Sequence, residues 1–371
     1  MRGVSGLKRY ALSVCAGAVI VAGCSVTPQR SSNLPDSSAA VMPRLPSYAD
    51  PATLLGSSTK VALWVSYEIF GNLLGLDKGG NVVVTVDAWD NGCTPPLTVK
   101  VDHEQNVWVA CQFLNPPYLW GGEQEYSSSG TVKRSYAFDA SRFCGSGYSR
   151  CAAQSWDGGW DNKGHVFAEL SEGTWLFGST NSRVVHNMRL GFFWWNANDP
   201  SGPATFIRAS RYCKPMCGVY YMDTDRAGNI WFDFSSTGYP GLKGGLGEVT
   251  NPTTSPSVQV VFPAGTYQQP GGVYVSGHGT VLNVTDELAK VIYQYHLPVT
   301  RTSTPFNVLG PTGGAPLSGG FNKAESAMAL GDLRSGIHIG NLRANLWSLY
   351  ACYVPHESSP CSGAAFTPSD K

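Results

Sequence analysis

Short runs of alternating hydrophobic and polar residues occupy most of the chain, and one arrangement of them recurs. Residues 99–109 form an alternating run, a polar stretch and a second alternating run, and residues 222–232 repeat this order. In both copies an aspartate, Asp102 or Asp225, precedes an asparagine by four residues, and an aliphatic–Trp–apolar triplet follows. A hydrophobic period of two predicts β-strands. Asp, Asn and Gly at fixed offsets predict a hairpin turn between them.

Three further stretches repeat this hairpin. Residues 161–168 carry His165 at the asparagine position, and shorter copies occupy residues 276–282 and 332–339. The copies begin at positions 102, 161, 225, 276 and 332, so they are about 59, 64, 51 and 56 residues apart. Four-stranded propeller blades usually take about 40 to 50 residues. The spacing therefore predicts an all-β fold, a β-propeller whose blades carry insertions in their loops.

The region before the first copy adds strands to the ring. Residues 61–66, 72–76 and 81–86 each predict a strand. Asp77 and Asn81 repeat the four-residue spacing, but only 25 residues before the first copy, so we interpret them as an outer-strand turn. Five repeats and this segment predict six blades, with five or seven as alternatives. We expect N-terminal and C-terminal strands to pair and close the ring, which removes exposed edges. The alternative all-β fold is a two-sheet β-sandwich, but that fold would not need a hairpin that repeats at such long intervals along the chain.

The sequence GNIWF at residues 228–232 resembles the repeats of NHL-type and streptogramin-lyase-like β-propellers, and residues 106–109 are the next best match. The resemblance covers about residues 60–355 and rests on short repeats. It implies the propeller architecture. Lyase-like members use His and Glu with a magnesium ion, but no stretch of this chain matches that catalytic motif, so no residue role is carried over.

The N-terminal segment has its basic and apolar residues in the order that is typical of an export signal. Basic residues precede an uncharged, mostly apolar run at 11–22, which at about 12 residues is short for spanning a bilayer. The run ends in Val-Ala-Gly-Cys at 21–24, which resembles the lipobox of bacterial lipoproteins. We expect a signal peptide at 1–23 and a diacylglyceryl thioether on Cys24 that holds the protein to a membrane. An ordinary secretory signal and an uncleaved anchor are the alternatives.

Three segments are expected after the signal peptide. Residues 24–57, rich in Pro and Ser, predict a lipidated flexible tether. Residues 58–356 are the predicted propeller domain, and residues 357–371 are a predicted C-terminal tail. Ser25 follows Cys24, whereas Asp there usually retains a lipoprotein in the inner membrane. The expected location is therefore the cell envelope, with the outer membrane or cell surface favoured.

Composition restricts the class of partner. Charged residues are 14% of the chain, below the average of about 25%, and Gly is abundant, as expected for many turns. Lys and Arg number 26, equal to Asp and Glu, so the chain has no electrostatic reason to bind nucleic acid. We expect a monomer with the membrane and a glycan or protein ligand as partners.

Eight cysteines follow Cys24, an even number that predicts disulfides in an exported protein. Proximity along the chain suggests the pairs Cys93–Cys111, Cys144–Cys151, Cys213–Cys217 and Cys352–Cys361. No Cys-x-x-Cys pair and no nearby histidine cluster occurs, so no metal site is predicted.

Polar residues of the hairpins have two interpretations. The acids are Asp102, Asp161, Asp225 and Asp332. They either ring one face of the propeller and hold a metal or ligand, or they cap the turns, and recurrence at one turn position favours capping. The histidines in or beside the hairpins are His103, His165, His278 and His338. We interpret these as structural.

Aromatic side chains in the inserted loops are the ligand-binding candidates. They are Tyr118, Trp120, Trp156, Trp160, Trp194 and Trp195. Flat rings in loops suit stacking against sugars or peptides, and filling of the core between blades is the alternative. Trp108 and Trp231, inside the repeat, are predicted core residues.

No Gly-x-Ser-x-Gly, His-Glu-x-x-His or phosphate-loop motif occurs, and we predict no catalytic residue and no cofactor. The predicted function is a membrane-anchored envelope lipoprotein whose propeller is a ligand-binding or protein-binding scaffold, and we favour a protein that is not an enzyme. The alternative is a metal-dependent propeller lyase or lactonase. That alternative requires acids and histidines from at least three blades to converge on an open central channel.

Overall fold

The computed structural model describes residues 60–68, 71–77, 81–114, 119–139, 150–171, 174–177, 183–185, 190–210, 216–236, 243–276, 279–310, 312, 316–317, 319–322, 327–332, 336–342, 345–350, 353–354, 357–358 and 361–366. These residues form strands, turns and loops without a helix, which confirms the predicted all-β class. Among them, no helix has the length and apolar composition that crossing a membrane would need.

The described strands, in chain order, are β1 (Leu63–Tyr67), β2 (Asn72–Leu76), β3 (Val82–Asp87), β4 (Cys93–Val101), β5 (Val107–Leu114), β6 (Leu119–Trp120), β7 (Gly122–Tyr126), β8 (Val132–Ala137), β9 (Arg150–Ala153), β10 (Gly158–Trp160), β11 (His165–Leu170), β12 (Thr174–Phe177), β13 (Arg183–Val185), β14 (Leu190–Asn196), β15 (Thr205–Ser210), β16 (Gly218–Thr224), β17 (Ile230–Ser235), β18 (Gly244–Thr250), β19 (Ser257–Tyr267), β20 (Pro270–Val275), β21 (Val281–Asp286), β22 (Val291–His296), β23 (Asn307–Leu309), β24 (Gly319–Phe321), β25 (Ala327–Asp332), β26 (Gly336–Asn341), β27 (Leu346–Tyr350), β28 (Tyr353–Val354), β29 (Glu357–Ser358) and β30 (Cys361–Phe366).

Twenty-four of the described strands form six antiparallel blades in a ring, which confirms the predicted six-bladed β-propeller. From the inner strand at the axis to the outer strand, the blades are β30-β1-β2-β3, β4-β5-β7-β8, β10-β11-β14-β15, β16-β17-β18-β19, β20-β21-β22-β23 and β24-β25-β26-β27. We number them blades 1 to 6 in this order.

Ring closure takes place in blade 1. The C-terminal strand β30 pairs with β1, and Trp64 lies opposite Ala365, so strands from both ends of the domain share one sheet. The propeller therefore extends past residue 356, into the stretch predicted as a tail. The sequence Cys-Ser-Gly-Ala-Ala-Phe has mostly small residues and little polar alternation, which explains why its strand was not predicted.

The predicted loop insertions are present. Strands β6, β9, β12 and β13 form a separate four-stranded sheet, and β28 and β29 form a short hairpin. The strands of the separate sheet come from connections at the end of the ring where the inner strands begin. We call this end the insert face. The opposite end, where each inner strand turns into the second strand, is the turn face.

Large apolar side chains fill the space between neighbouring blades. Between blades 2 and 3, Trp108 stacks on Tyr136 with centroids 5.8 Å apart, and both pack against Phe193 and other buried residues. Trp108 is 5% exposed and Trp231 is 1% exposed, so both are core residues as predicted. Burial of such rings is a large contribution to stability.

The repeated aspartate caps the turn on the turn face. In blade 2, Asp102 Oδ1 accepts the backbone N–H of Asn106 at 2.8 Å, and its Oδ2 accepts the Asn106 amide and the Trp108 indole N–H, each at 2.9 Å. In blade 4, Asp225 makes the same three bonds at 2.9, 3.1 and 3.1 Å. These bonds explain why, in both repeats, the Asn lies four residues and the Trp six residues after the capping Asp.

Blades 3 and 5 use variants of this turn. Asp161 accepts the backbone N–H of His165 at 2.9 Å and lies 2.8 Å from its ring Nδ1, so His165 replaces the asparagine structurally. In blade 5, Ser276 Oγ accepts the N–H of Val281 at 3.2 Å. The turn-cap interpretation is therefore confirmed for these blades.

The proposed repeat at Asp332 was placed in the wrong hairpin. Asp332 ends β25, so its hairpin joins the second and third strands of blade 6 and lies on the insert face. The equivalent turn of blade 6 begins at Asn322, whose Oδ1 accepts the N–H of Ala327 at 3.1 Å. The hairpins at Asn322 and Asp332 both have a polar capping residue, a Gly or Ser in the turn, and a strand of alternating residues. The sequence pattern alone therefore did not distinguish one from the other. Asp77 lies between the third and fourth strands of blade 1, as predicted.

One predicted disulfide is confirmed in full. Cys93 and Cys111 are bonded and join β4 to β5. Cys217 is also disulfide-bonded, and its expected partner, Cys213, lies outside the described residues. The remaining predicted bonds, and the lipid site, involve positions outside the described residues or side chains that are not described: Cys24, Cys144, Cys151, Cys352 and Cys361.

Candidate functional site

A lysine at the axis bridges three blades. Lys100, near the end of inner strand β4, donates from Nζ to Asp157 Oδ2 at 3.2 Å and to the carbonyls of Gly158 and Met222, each at 2.6 Å. Asp157 and Gly158 lie at the start of inner strand β10, and Met222 lies in inner strand β16. An ammonium has three donors, so these three acceptors use its full capacity.

The carboxylate that faces this lysine is also fully bonded. Asp157 is 1% exposed. Its Oδ1 accepts the Thr98 hydroxyl at 2.6 Å and the Gly158 N–H at 2.8 Å, and its Oδ2 accepts the Met222 N–H at 3.0 Å. Burial alone would lower the pKa of Lys100, but the nearby acids, chiefly Asp157, raise it above its usual value. The Lys100 ammonium therefore stays charged inside the ring.

Two more acids lie close to this pair. Burial raises the pKa of Asp223, on β16, and Lys100 opposes that rise. Burial and then Asp157 raise the pKa of Glu123 well above its usual value, and Glu123 Oε1 has no hydrogen-bond partner among the described residues. Three blades therefore bring acids together, but the cation among them is the Lys100 ammonium. Within the described part of the chain, no group of three or more His, Cys, Asp or Glu is arranged to hold a metal ion.

A second layer of buried acids lies on the second strands. Glu169 accepts the backbone N–H of Asp157 at 2.7 Å, and Asp233 accepts that of Tyr221 at 3.1 Å. Burial raises the pKa of both acids well above the usual value. Sequence reasoning missed these residues, although an available signal was an acid four residues after the asparagine position in two consecutive blades. Their bonds satisfy backbone groups of the inner strands, which indicates a structural role.

Apolar side chains of different blades meet next to this charged layer. Tyr220 and Tyr221 of β16 and Leu317, just before β24, form one buried cluster. Blades 4 and 6 are not neighbours in the ring, so this cluster joins side chains on either side of blade 5. Tyr274 of blade 5 donates its hydroxyl hydrogen to the Leu317 carbonyl. Among the described residues, side chains of blades 4 and 6 and the Tyr274 hydroxyl of blade 5 therefore meet near the axis at its insert-face end.

Trp156 lies at the insert-face end of inner strand β10. Its half-buried ring packs against the axial cluster and meets Tyr220 edge-on, with centroids 5.8 Å apart and an interplanar angle of 77°. Glu169 accepts its backbone N–H, and its indole N–H lies 3.4 Å from Gln154 Oε1. The backbone and ring of Trp156 are therefore held in place while part of the side chain reaches the surface.

The other aromatic candidates lie elsewhere. Trp120, Trp160 and Trp195 belong to or pack against the core cluster between blades 2 and 3, and Trp195 is only 2% exposed. Trp194 is half-buried and meets His165 edge-on at 5.2 Å. Tyr118 lies outside the described residues. Of the described candidates, Trp156 is the one that packs at the axis.

The histidines do not come together either. His338 lies in β26, and its Nε2 is 2.6 Å from Asp332 Oδ2, with both side chains fully buried. His103 is exposed in the turn of blade 2. His278 lies outside the described residues.

Comparisons with known proteins support the fold and leave the function open. No protein-family model matches the chain, and no curated protein sequence matches it. A chain of a nidogen/laminin complex superposes with a TM-score of 0.53 at 10% identity, covering 83% of this chain and 98% of that one. A protein of unknown function from Bacteroides caccae gives 0.52 at 9% identity, with 83% and 99% coverage. A hypothetical selenium-binding protein from Sulfolobus tokodaii gives 0.50 at 9% identity, with 80% and 76% coverage.

Proposed function

We propose that this chain is a lipid-anchored protein of the bacterial envelope whose propeller binds a glycan on the insert face, around Trp156. The observation that carries the proposal is a fixed, partly exposed indole that packs on Tyr220 at the insert-face end of the ring. A ligand at this place contacts a face of the ring rather than a channel through it.

The chemistry of this site suits a sugar better than a charged ligand. A flat aromatic ring stacks on the apolar face of a pyranose, and a ring that is already held in place loses little conformational entropy on binding. The side-chain amide of Gln154, 3.4 Å from the Trp156 indole, is a polar group beside the ring that is able to bond a hydroxyl. Basic residues do not outnumber acidic ones, with or without the proposed signal peptide, so no net positive charge drives binding to a polyanion. A protein that binds the same face is the alternative ligand.

Co-sedimentation with purified peptidoglycan sacculi tests this site. The proposal predicts that the purified protein pellets with sacculi and that Trp156→Ala reduces the pelleted fraction several-fold. Trp194→Ala is the matched control, because Trp194 is also half-buried but packs on His165 away from the axis. Equal binding by both variants, or none by the wild type, would contradict the proposal.

The anchor is a separate part of the proposal and rests on the N-terminal sequence. The basic start, the short apolar run and the residues Val-Ala-Gly-Cys support lipid attachment at Cys24. Growth with radiolabelled palmitate should label the wild type. Labelling of Cys24→Ala to the same extent would refute lipidation at this residue without affecting the glycan site.

A further inference from the structure

Three of the five large apolar side chains that are exposed among the described residues lie along the outer edge of blade 5. Leu288 is 44% exposed, Phe306 49% and Val308 45%. Phe306 directly precedes outer strand β23, Val308 lies within it, and Leu288 lies in the turn between β21 and β22, at the insert-face end of the blade. We call these three side chains the blade 5 edge. Single exposed apolar residues are common on protein surfaces, so the charges around these three decide what they mean.

The Phe306 ring is held in place. It stacks on the ring of His296, with centroids 4.0 Å apart and an interplanar angle of 11°. The backbone N–H of Phe306 donates to the Gln294 carbonyl at 2.9 Å. About half of this side chain therefore faces solvent in a fixed orientation, which lowers the entropic cost of burying it against a partner.

Exposed cations flank the blade 5 edge. Lys290 lies two residues after Leu288 in the same turn, and Arg301 lies in the loop that leads from β22 to β23. Arg301 Nε donates to the Val260 carbonyl of blade 4 at 3.4 Å. Within the described part of the chain, neither Lys290 nor Arg301 forms an ion pair. Both positive charges are therefore available to a partner.

The sequence around this edge has few acids to balance these cations. Residues 249–285 contain no charged residue, and residues 288–324 contain no acid. The two acids between these stretches are engaged. Asp286 is 1% exposed and accepts a backbone N–H at 2.8 Å, and Glu287 accepts the Gln269 amide at 2.7 Å. The surface at the blade 5 edge is therefore apolar and positive.

The other two exposed apolar side chains have the opposite surroundings. Val82 and Val83 lie in outer strand β3 of blade 1, and the exposed acids Asp87 and Asp90 follow them. A negatively charged surface is repelled there and attracted at the blade 5 edge. The two apolar patches therefore allow a comparison within one molecule.

We propose that the blade 5 edge rests on a membrane surface that contains anionic lipids. The three apolar side chains enter the headgroup region, and Lys290 and Arg301 contact lipid phosphates. Apolar burial and attraction between basic residues and anionic lipids together hold proteins at membrane interfaces. A second copy of the chain fits this edge less well, because a two-fold contact would set its cations against each other.

Docking of this kind gives an anchored propeller a defined orientation. With the outer edge of blade 5 on the lipid, the ring stands on its edge, so the insert face and Trp156 stay open to the envelope. This inference rests on the proposed anchor at Cys24 only in that the anchor keeps the protein at a membrane. It is independent of the glycan site, because Trp156 lies at the axis and not on the outer edge.

Hydrogen exchange of the full-length protein, reconstituted in vesicles, tests this docking. One vesicle type is phosphatidylcholine alone, and the other contains about one-third phosphatidylglycerol, which supplies the negative charge. Peptides that span residues 288–296 and 306–310 should exchange several-fold more slowly on the charged vesicles. The control peptide is residues 132–137, which form outer strand β8 of blade 2 on the opposite side of the ring. Its exchange should be the same on both vesicle types.

Variants of the blade 5 edge locate the contact. Phe306→Ser should remove most of the added protection. Lys290→Gln combined with Arg301→Gln should weaken docking about 20-fold, since each cation near an anionic surface contributes about fivefold. Val83→Ser is the matched control, because it removes an exposed apolar side chain of blade 1, and it should behave like the wild type.

Three results would overturn the proposal. They are equal exchange on both vesicle types, an equal loss of protection in Val83→Ser and Phe306→Ser, and protection of the same peptides in detergent solution that grows with protein concentration. The last result would indicate a second copy of the chain as the partner. None of them bears on palmitate labelling at Cys24 or on binding to sacculi, which test the proposed function separately.

Discussion

Replacement of Lys100 by Met should destabilise the ring more than any exposed lysine replacement. The change keeps most of the side-chain volume but removes the ammonium that three acceptors share. Asp157, 1% exposed, would then be a buried charge without its cation, and two carbonyls would lose their donor. Removal of one partner of a buried ion pair costs about 3 to 5 kcal/mol. At roughly 2 °C per kcal/mol for a domain of this size, the melting temperature should fall by about 6 to 10 °C.

Urea unfolding followed by tryptophan fluorescence measures this cost. Lys163→Met is the control, because the Lys163 side chain is exposed and its Nζ donates to the Ala227 carbonyl, so we expect a loss of at most about 1 kcal/mol. Adding Asp157→Asn to Lys100→Met should restore part of the loss, since the buried Asp157 carboxylate is then replaced by a neutral amide. If Lys100→Met costs no more than Lys163→Met, the bridging role assigned to Lys100 is incorrect.

Three further predictions concern stability. Asp225→Ala leaves the buried Trp231 indole N–H without its acceptor and should cost about 2 kcal/mol in urea unfolding. Replacement of Cys93 and Cys111 by Ser removes a link between residues separated by 18 positions and should cost about 3 kcal/mol in urea unfolding without reductant. Burial raises the pKa of Glu68 from 4.5 to about 7, so its contribution is fully present below about pH 4.5 and is lost as the pH rises through 7. Glu68 alone should lower the free energy of unfolding by up to about 3 kcal/mol over that range, and Glu68→Gln should remove this part of the fall. An identical pH profile in the variant would exclude Glu68 as a source.

The sequence was most informative where local chemistry alone determines structure. The Asp102 turn could be predicted because one side chain bonds the backbone and the Trp108 indole within six residues. The same local logic failed at Asp332, where a hairpin at the other end of the blade has similar chemistry. Strand β30 was missed for a related reason, since its pairing partner β1 lies almost 300 residues away in sequence.

The axial site could not be predicted because it is assembled from distant blades. Lys100 meets Met222 across 122 positions, and no local pattern marks either residue. The same holds for Leu317, which meets Tyr220 and Tyr221 only when the ring closes. For Trp156, the sequence indicated an aromatic loop residue but not which of six rings lies at the axis.

Hydrogen exchange measured by mass spectrometry, with and without soluble peptidoglycan fragments, tests the proposed binding face most directly. The insert-face proposal predicts slower exchange in peptides that span residues 153–158 and 218–221, on both sides of Trp156 and Tyr220. Turn-face peptides such as residues 102–106 should be unchanged. Protection confined to the turn face, or no protection at saturating fragment concentration, would contradict a glycan site at Trp156.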